Sequence, residues 1–136
     1  TTRASCEKFR TVPTTVINFV EGTRFTTQKH HQKRSPYETL LPPKAGGVSF
    51  TLAAMGELFT NVLDISLLYP ENKRHPMMAM LSGTMTKIII DVNVMPVPAL
   101  QQHSTLSEPE FRTTFQDWLN AMWKNKDSRI KRLLES

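Results

Sequence analysis

The sequence predicts an α/β fold in which helices flank a mixed and mostly parallel sheet. Residues 14–20 (TTVINFV) are β-branched and apolar, which is typical of a buried strand. An amphipathic helix follows, and residues 62–69 (VLDISLLY) return to the alternation of a second strand. Because strand, helix and strand succeed one another, we expect a βαβ unit with a parallel pair and a right-handed crossover.

The helix between these two strands is marked by one apolar stripe. Gly56 is expected to end it, and residues 26–43 ahead of it are polar and proline-containing, so we interpret them as a long loop. The stripe aligns on one helical face because four apolar residues recur at spacings of three or four: Val48, Leu52, Met55 and Phe59.

The remainder of the chain predicts a third strand and a long helix. Residues 86–94 (TKIIIDVNV) have strand alternation, and residues 76–81 ahead of them are interpreted as a short helix. Residues 107–110 (SEPE) carry the S-x-x-E pattern of a capping box, which predicts the start of a helix that continues to Leu134. The aromatic residues of this helix have the spacing of a core-facing stripe. The alternative is a membrane-facing stripe, because Trp is common at membrane interfaces.

These elements define one fragment of 136 residues. It has an α/β part over residues 1–100 and a C-terminal amphipathic helix over residues 107–136. The single cysteine, Cys6, excludes an internal disulfide framework. A formal charge of +5 and a pI of about 9.6 favour anionic partners, namely nucleic acid, phosphorylated small molecules or anionic lipid. Because Thr1 falls inside an expected helix that Pro13 stops, we interpret the chain as part of a longer protein.

The polar residues that follow the first strand form the first candidate site. Ligand sites of α/β sheets lie beyond the carboxyl ends of strands, where Gly22 permits a sharp turn or a close approach. Arg24 has the planar fork that grips phosphate, and Thr23 adds a hydroxyl group. Glu21 is anionic, so we expect it to orient Arg24 or to accept a hydrogen bond from a substrate hydroxyl. The alternative is a plain surface turn in which Glu21 and Arg24 pair.

The same stretch resembles a known family. Residues 19–24 (FVEGTR) resemble the F-P-E-G-T-R block of the glycerol-3-phosphate and lysophosphatidic acid acyltransferases. Residues 40–47 (LLPPKAGG) are similar to the L-L-P-x-x-x-G block of one branch, as are residues 64–70 and 80–83. The C-terminal tryptophan-containing region is most similar to the bacterial YihG-type branch. One departure is Val20, which stands where the family has proline.

The resemblance implies that this chain is the C-terminal part of an acyltransferase-like α/β/α fold. It also implies that the chain carries the site for the phosphate group of the acceptor. Position by position, the implied substrate-binding residues are Glu21, Gly22, Thr23 and Arg24, followed by Lys44. Lys44 is expected to lie just before a helix, where a cation and a helix N-terminus both favour phosphate. The alternative for Lys44 is an ordinary solvated lysine.

The catalytic motif of the family, H-x-x-x-x-D, does not occur in this sequence. Its His acts as general base on the acceptor hydroxyl, which then attacks the acyl thioester directly. His103 and Glu108 form a near miss that lies on the wrong side of the E-G-T-R block, and we reject it. We therefore expect no catalytic residue, no metal site and no cofactor in this chain, which alone should be inactive.

The implied function is transfer of a fatty acyl group from acyl-CoA or acyl carrier protein to a lysophospholipid or glycerol phosphate. The implied location is the cytoplasmic face of a bacterial inner membrane, reached through residues outside this chain, which is itself expected to be soluble. The alternative is a non-catalytic basic module that binds anionic lipid or nucleic acid through residues 29–34, although no nucleic-acid motif is present. Exposed edges of a small sheet would also suit a homodimer.

Overall fold

The computed structural model describes residues 8–98 and 108–136. Its helices and strands confirm a mixed α/β composition. In chain order, the elements are α1 (Thr27–Gln32), α2 (Ala45–Met55), a 3-10 turn (Gly56–Leu58), β1 (Asn61–Leu68), α3 (Pro76–Leu81), β2 (Ile89–Pro96) and α4 (Glu108–Glu135). No helix within the described ranges has the length and apolar character that crossing a bilayer requires.

The sheet consists of β1 and β2 alone among the described residues, and the two strands are antiparallel. The predicted parallel pairing of β1 is therefore wrong. The reason lies in the matching alternation of the two strands. In antiparallel register Leu63 faces Val94 and Leu67 faces Ile90, so that the aliphatic residues that alternate along the two strands share one face.

Residues 14–20, predicted as a strand, are not in a sheet. Ile17 and Phe19 are 78% and 83% exposed, so these side chains lack the packing that stabilises strand pairing. β-branched composition favours strand formation, but a ladder also needs a neighbouring strand, and none of the described strands lies beside this segment.

The β1–β2 hairpin turns its polar face inward and its aliphatic face outward. Asp64 and Ser66 are 7% and 4% exposed, whereas the aliphatic residues between them and beyond are more than half exposed. Sequence alternation separates the two faces correctly, but it does not say which face is buried. The outward side chains are Leu63, Ile65, Leu67, Ile90, Val92 and Val94.

Two cations of α4 explain this inversion. Lys126 Nζ lies 2.5 Å from Asp64 Oδ1 and also donates to the carbonyl oxygen of Ile65 at 3.0 Å. Arg129 pairs with Asp91 of β2, and its other nitrogen lies 3.6 Å from Asp64 Oδ2. Because a buried charge is tolerated when an opposite charge meets it, the hairpin packs on α4 through ion pairs.

The apolar core lies elsewhere, between α4, α2 and the segment that precedes α2. Phe115 and Leu119 of α4 are fully buried, and Leu52 of α2 packs in the same cluster. Leu40 joins them from the chain ahead of α2. The predicted aromatic stripe of α4 is therefore a core stripe, as its helical spacing indicates.

The helix predictions have mixed outcomes. α2 ends at Met55 with Gly56 as its cap, α3 covers the predicted residues 76–81, and α4 runs past Leu134, so these three predictions are confirmed. The exception is Phe59 of the predicted α2 stripe, which lies beyond the helix and after the 3-10 turn. The long loop predicted for residues 26–43 is wrong over α1, because the Thr26 hydroxyl accepts the Lys29 N–H at 3.2 Å and caps a short helix. The helix over residues 1–11 lies largely outside the described residues, as do the Ser107 cap and His103.

Candidate functional site

The loop of residues 21–24 begins with a tight turn over residues 19–22, in which Gly22 takes the last position. The Gly22 N–H donates to the carbonyl oxygen of Phe19 at 2.9 Å. The φ angle of Gly22 is +68°, in the left-handed region where a side chain is strained. The glycine is thus required by the turn geometry.

A second segment is bound to this loop by two hydrogen bonds. Glu21 Oε1 accepts the Leu41 N–H at 3.0 Å, and the Lys44 N–H donates to the carbonyl oxygen of Val20 at 2.9 Å. The Leu41 carbonyl oxygen in turn accepts the indole N–H of Trp123 at 2.9 Å. Residues 19–24 and residues 40–47 therefore lie side by side, and the indole group of α4 supports them.

Lys44 lies at the junction of this loop with α2. It is the residue before the first turn of α2, and within the described residues the N–H groups of that turn receive no side-chain capping hydrogen bond. A Cβ atom placed on Gly22 would lie 3.4 Å from Lys44 Nζ, so the ammonium group is next to the Gly22 main chain. An ammonium group and a free helix N-terminus both create positive potential, which favours an anion at this position.

Thr23 and Arg24 are held by Lys29, which the sequence predicts only as part of the polar loop of residues 26–43. Lys29 Nζ donates to Thr23 Oγ1 at 2.6 Å and to the Arg24 carbonyl oxygen at 3.4 Å. The signal that could have revealed this contact is the Thr26 cap, since it starts α1 and turns Lys29 back toward residues 23 and 24.

Glu21 does not pair with Arg24 in the structure. Its Oε1 atom is committed to the Leu41 N–H, and the Arg24 side chain is exposed, with no ion pair to any carboxylate in the described residues. Neither the plain Glu21–Arg24 turn nor the expected orientation of Arg24 by Glu21 is formed. Arg24 is thus unpaired within the described part of the chain.

The environment of Glu21 is partly desolvated. Burial raises the pKa of its carboxyl group above the ordinary value, and this effect outweighs the opposing influence of the Leu41 N–H and of the Lys126 and Lys33 charges. The carboxyl group therefore acts chiefly as a structural acceptor that ties residues 21 and 41 together.

Asp127 of α4 fixes the chain just before Leu40. Its carboxylate accepts the Glu38 N–H at 3.1 Å, the Thr39 N–H at 2.8 Å and the Thr39 hydroxyl at 2.6 Å. Burial opposes ionisation, but these hydrogen bonds and the Lys131 charge outweigh it and lower the pKa of Asp127. The segment that carries Lys44 is thus anchored to α4 at residues 38, 39 and 41.

The two histidines of α1 have structural partners. His30 Nε2 lies 2.5 Å from the Tyr37 carbonyl oxygen, and its ring contacts Phe25 and His31. Across residues 8–98 and 108–136 there is no group of three or more His, Cys, Asp or Glu residues that could hold a metal ion. His30 is therefore best described as a packing residue.

Comparisons with protein-family models, with curated proteins and with solved structures find no match for this chain. The site is accordingly defined by its geometry. Gly22, the Thr23 hydroxyl and the ammonium groups of Lys29 and Lys44 converge on one loop, and the exposed Arg24 follows in the chain.

Proposed function

We propose that this chain is the acceptor-binding part of a glycerolipid acyltransferase. The whole enzyme would transfer a fatty acyl group from acyl-CoA or acyl carrier protein to a lysophospholipid or glycerol phosphate. In this proposal the loop of residues 21–24 and Lys44 hold the phosphate group of the acceptor. Residues outside this chain supply the catalytic base and the contact with the membrane surface.

One observation carries the proposal: the two motif-bearing segments are about 20 residues apart in sequence, yet they are joined at the loop. Lys44 reaches Gly22 because its main-chain N–H is bonded to Val20 and because Glu21 holds Leu41. The ammonium groups of Lys29 and Lys44 therefore lie at a turn that exposes glycine main chain, and the exposed Arg24 follows this turn in the chain. This is a suitable arrangement for a phosphate group.

The chemistry assigned to this chain is binding and orientation. Holding the phosphate at a fixed point restricts where the acceptor hydroxyl can lie relative to the acyl thioester, which lowers the entropic cost of the reaction. The hydroxyl proton passes to a base that the resemblance places on another segment, the hydroxyl oxygen attacks the thioester carbonyl, and the carrier thiolate leaves and takes up that proton. No residue of this chain takes part in proton transfer.

Kinetics of the full-length protein test the site. Arg24→Ala is expected to raise the acceptor KM about tenfold, because a charge-assisted, paired contact to phosphate is lost. Arg74→Ala removes the same charge from an exposed position and is the matched control. An acceptor KM and kcat that stay at their wild-type values in Arg24→Ala would remove Arg24 from the site.

The isolated chain provides a second test. Because it contains no H-x-x-x-x-D motif, the purified 136-residue protein should show no acyl transfer. Measurable transfer would contradict the proposal that the base lies elsewhere. Binding of nucleic acid, with an affinity that falls steeply as salt is raised, would instead support the non-catalytic alternative.

A further inference from the structure

The ammonium group of Lys29 is surrounded by neutral oxygens. Its Nζ atom donates to Thr23 Oγ1 and to the Arg24 carbonyl oxygen, and the residue is half-buried. No carboxylate in residues 8–98 and 108–136 forms an ion pair with it. Because a partly desolvated charge is unfavourable without an opposite charge, stability of the fold alone does not account for this position.

The helix that carries Lys29 directs its side chain toward the loop of residues 21–24. The Thr26 hydroxyl caps α1 and accepts the Lys29 N–H at 3.2 Å, and α1 has six residues, with Lys29 among the basic residues of its last turn. From this position the ammonium group donates its hydrogen bonds to residues 23 and 24.

The contact fixes the hydrogen-bonding role of Thr23. A hydroxyl group has one hydrogen to donate and two lone pairs to accept, whereas an ammonium group only donates. Thr23 Oγ1 must therefore accept from Lys29, and its own hydrogen is left to donate elsewhere. A phosphate oxygen, which only accepts, is a matching partner for a hydroxyl in this state.

We propose that Lys29 is a further positioning residue of the anion site. It commits the Thr23 hydroxyl to donate toward a phosphate oxygen, and it holds the Arg24 main chain in place. The inference rests on the proposed function, since it assumes that the loop of residues 21–24 receives a phosphate group. Lys29 acts through Thr23 and Arg24 and is not a catalytic residue.

Titration of the chain with inorganic phosphate at constant ionic strength tests this role. Chemical shifts of the Gly22 and Thr23 amides report binding at the loop. Lys29→Met is expected to weaken phosphate binding about tenfold, and Lys29→Arg, which keeps charged donors, to remain within about threefold of wild type. Lys73→Met removes the same charge from an exposed side chain outside residues 21–44 and should change binding less than about twofold.

The route through Thr23 is tested by a double-mutant cycle. Thr23→Val should weaken binding, and adding Lys29→Met should cause little further loss, because both changes remove the same committed donor. Fully additive losses would overturn the route through Thr23. If Lys29→Met does not fold, Lys29→Gln, which keeps a donor without the charge, replaces it in both tests.

The outcomes separate the two proposals. A wild-type chain whose Gly22 and Thr23 amides show no saturable response to phosphate overturns the proposed function and this inference with it. A wild-type chain that binds phosphate, while Lys29→Met binds as tightly as Lys73→Met, overturns only the role of Lys29.

Discussion

Asp64 of β1 and Lys126 of α4 form a buried ion pair, with 2.5 Å between Oδ1 and Nζ and with both side chains less than a tenth exposed. This pair joins the hairpin to the longest helix, and Arg129 extends it to Asp91. Buried charges of this kind stabilise a fold little in total, but each is costly to leave alone.

Removal of the Lys126 ammonium group should therefore strongly destabilise the folded chain. Lys126→Met is expected to lower the free energy of unfolding by about 3 kcal/mol, because Asp64 keeps only the more distant Arg129 as a counter-charge. Urea denaturation measures the loss. Lys124→Met is the control on the same helix and should stay within about 0.5 kcal/mol of wild type, since Lys124 is exposed.

A second substitution should restore part of the stability that Lys126→Met loses. Adding Asp64→Leu to Lys126→Met removes the orphaned charge, so the double variant should be more stable than Lys126→Met alone. A Lys126→Met variant with the same urea midpoint as Lys124→Met would contradict the burial of this pair.

Replacement of Glu21 should change how stability depends on pH. The pKa of Glu21 is raised in the folded state, so its contribution is fully present below the unfolded value of about 4.3 and is lost as the pH rises through the folded value. Glu21→Gln keeps an acceptor for the Leu41 N–H and carries no charge. It should equal or exceed wild-type stability at pH 7, and this advantage should shrink below about pH 4.

Urea midpoints at several pH values measure this difference. Glu57→Gln removes one negative charge from an exposed surface pair with Arg10 and serves as the control. A Glu21→Gln variant that is less stable than wild type at pH 7, with a deficit that disappears below about pH 4, would show that the charge itself supports the loop.

The contribution of Asp127 to stability should depend on pH in the opposite direction to that of Glu21. Its pKa is lowered in the folded state, so its contribution is present above the unfolded value of about 3.9 and is lost as the pH falls through the folded value. Asp127→Asn should cost about 2 kcal/mol at pH 7, because an amide cannot accept from both the Glu38 and Thr39 main chains in the same way. The cost should diminish in acid.

Thermal or urea unfolding of Asp127→Asn against Asp117→Asn measures this cost, since Asp117 is exposed on the same helix. Equal stability of the two variants at pH 7 would be inconsistent with the anchoring role of Asp127.

Two glycines of the site region should respond differently to alanine. Gly22→Ala forces a side chain into the left-handed region next to Lys44 and should cost about 1–2 kcal/mol. Gly46→Ala places a methyl group in open space within α2 and should stabilise by about 0.5–1 kcal/mol. Urea midpoints compare the pair, and a stable Gly22→Ala would contradict the observed turn.

The sequence predicts the parts of the fold that depend on local pattern. The apolar stripes predict α2 and α4. Gly56 predicts where α2 ends, and Pro76 predicts where α3 begins. Pairing of strands was not predictable in the same way. The composition of residues 14–20 favours extended backbone, but the choice of a partner depends on distant residues.

The candidate site shows the same division. Residues 21–24 and Lys44 are singled out by motif, yet the partner of Glu21 is a main-chain N–H, which no side-chain pattern encodes. The sequence pattern likewise does not predict that Asp64 points inward, because its direction depends on Lys126, which lies more than 60 residues later in the chain. Contacts of this length are set by tertiary packing.

The outward aliphatic face of the hairpin has a consequence for mutational scanning. In a selection for folding alone, polar replacements at Leu63, Ile65 or Val92 should be tolerated, whereas replacements at Asp64 should be eliminated. This reverses the usual tolerance of strand positions, in which aliphatic residues are the sensitive ones. A selection for biological activity that instead retained the aliphatic residues would identify this face as one that another surface covers in the cell.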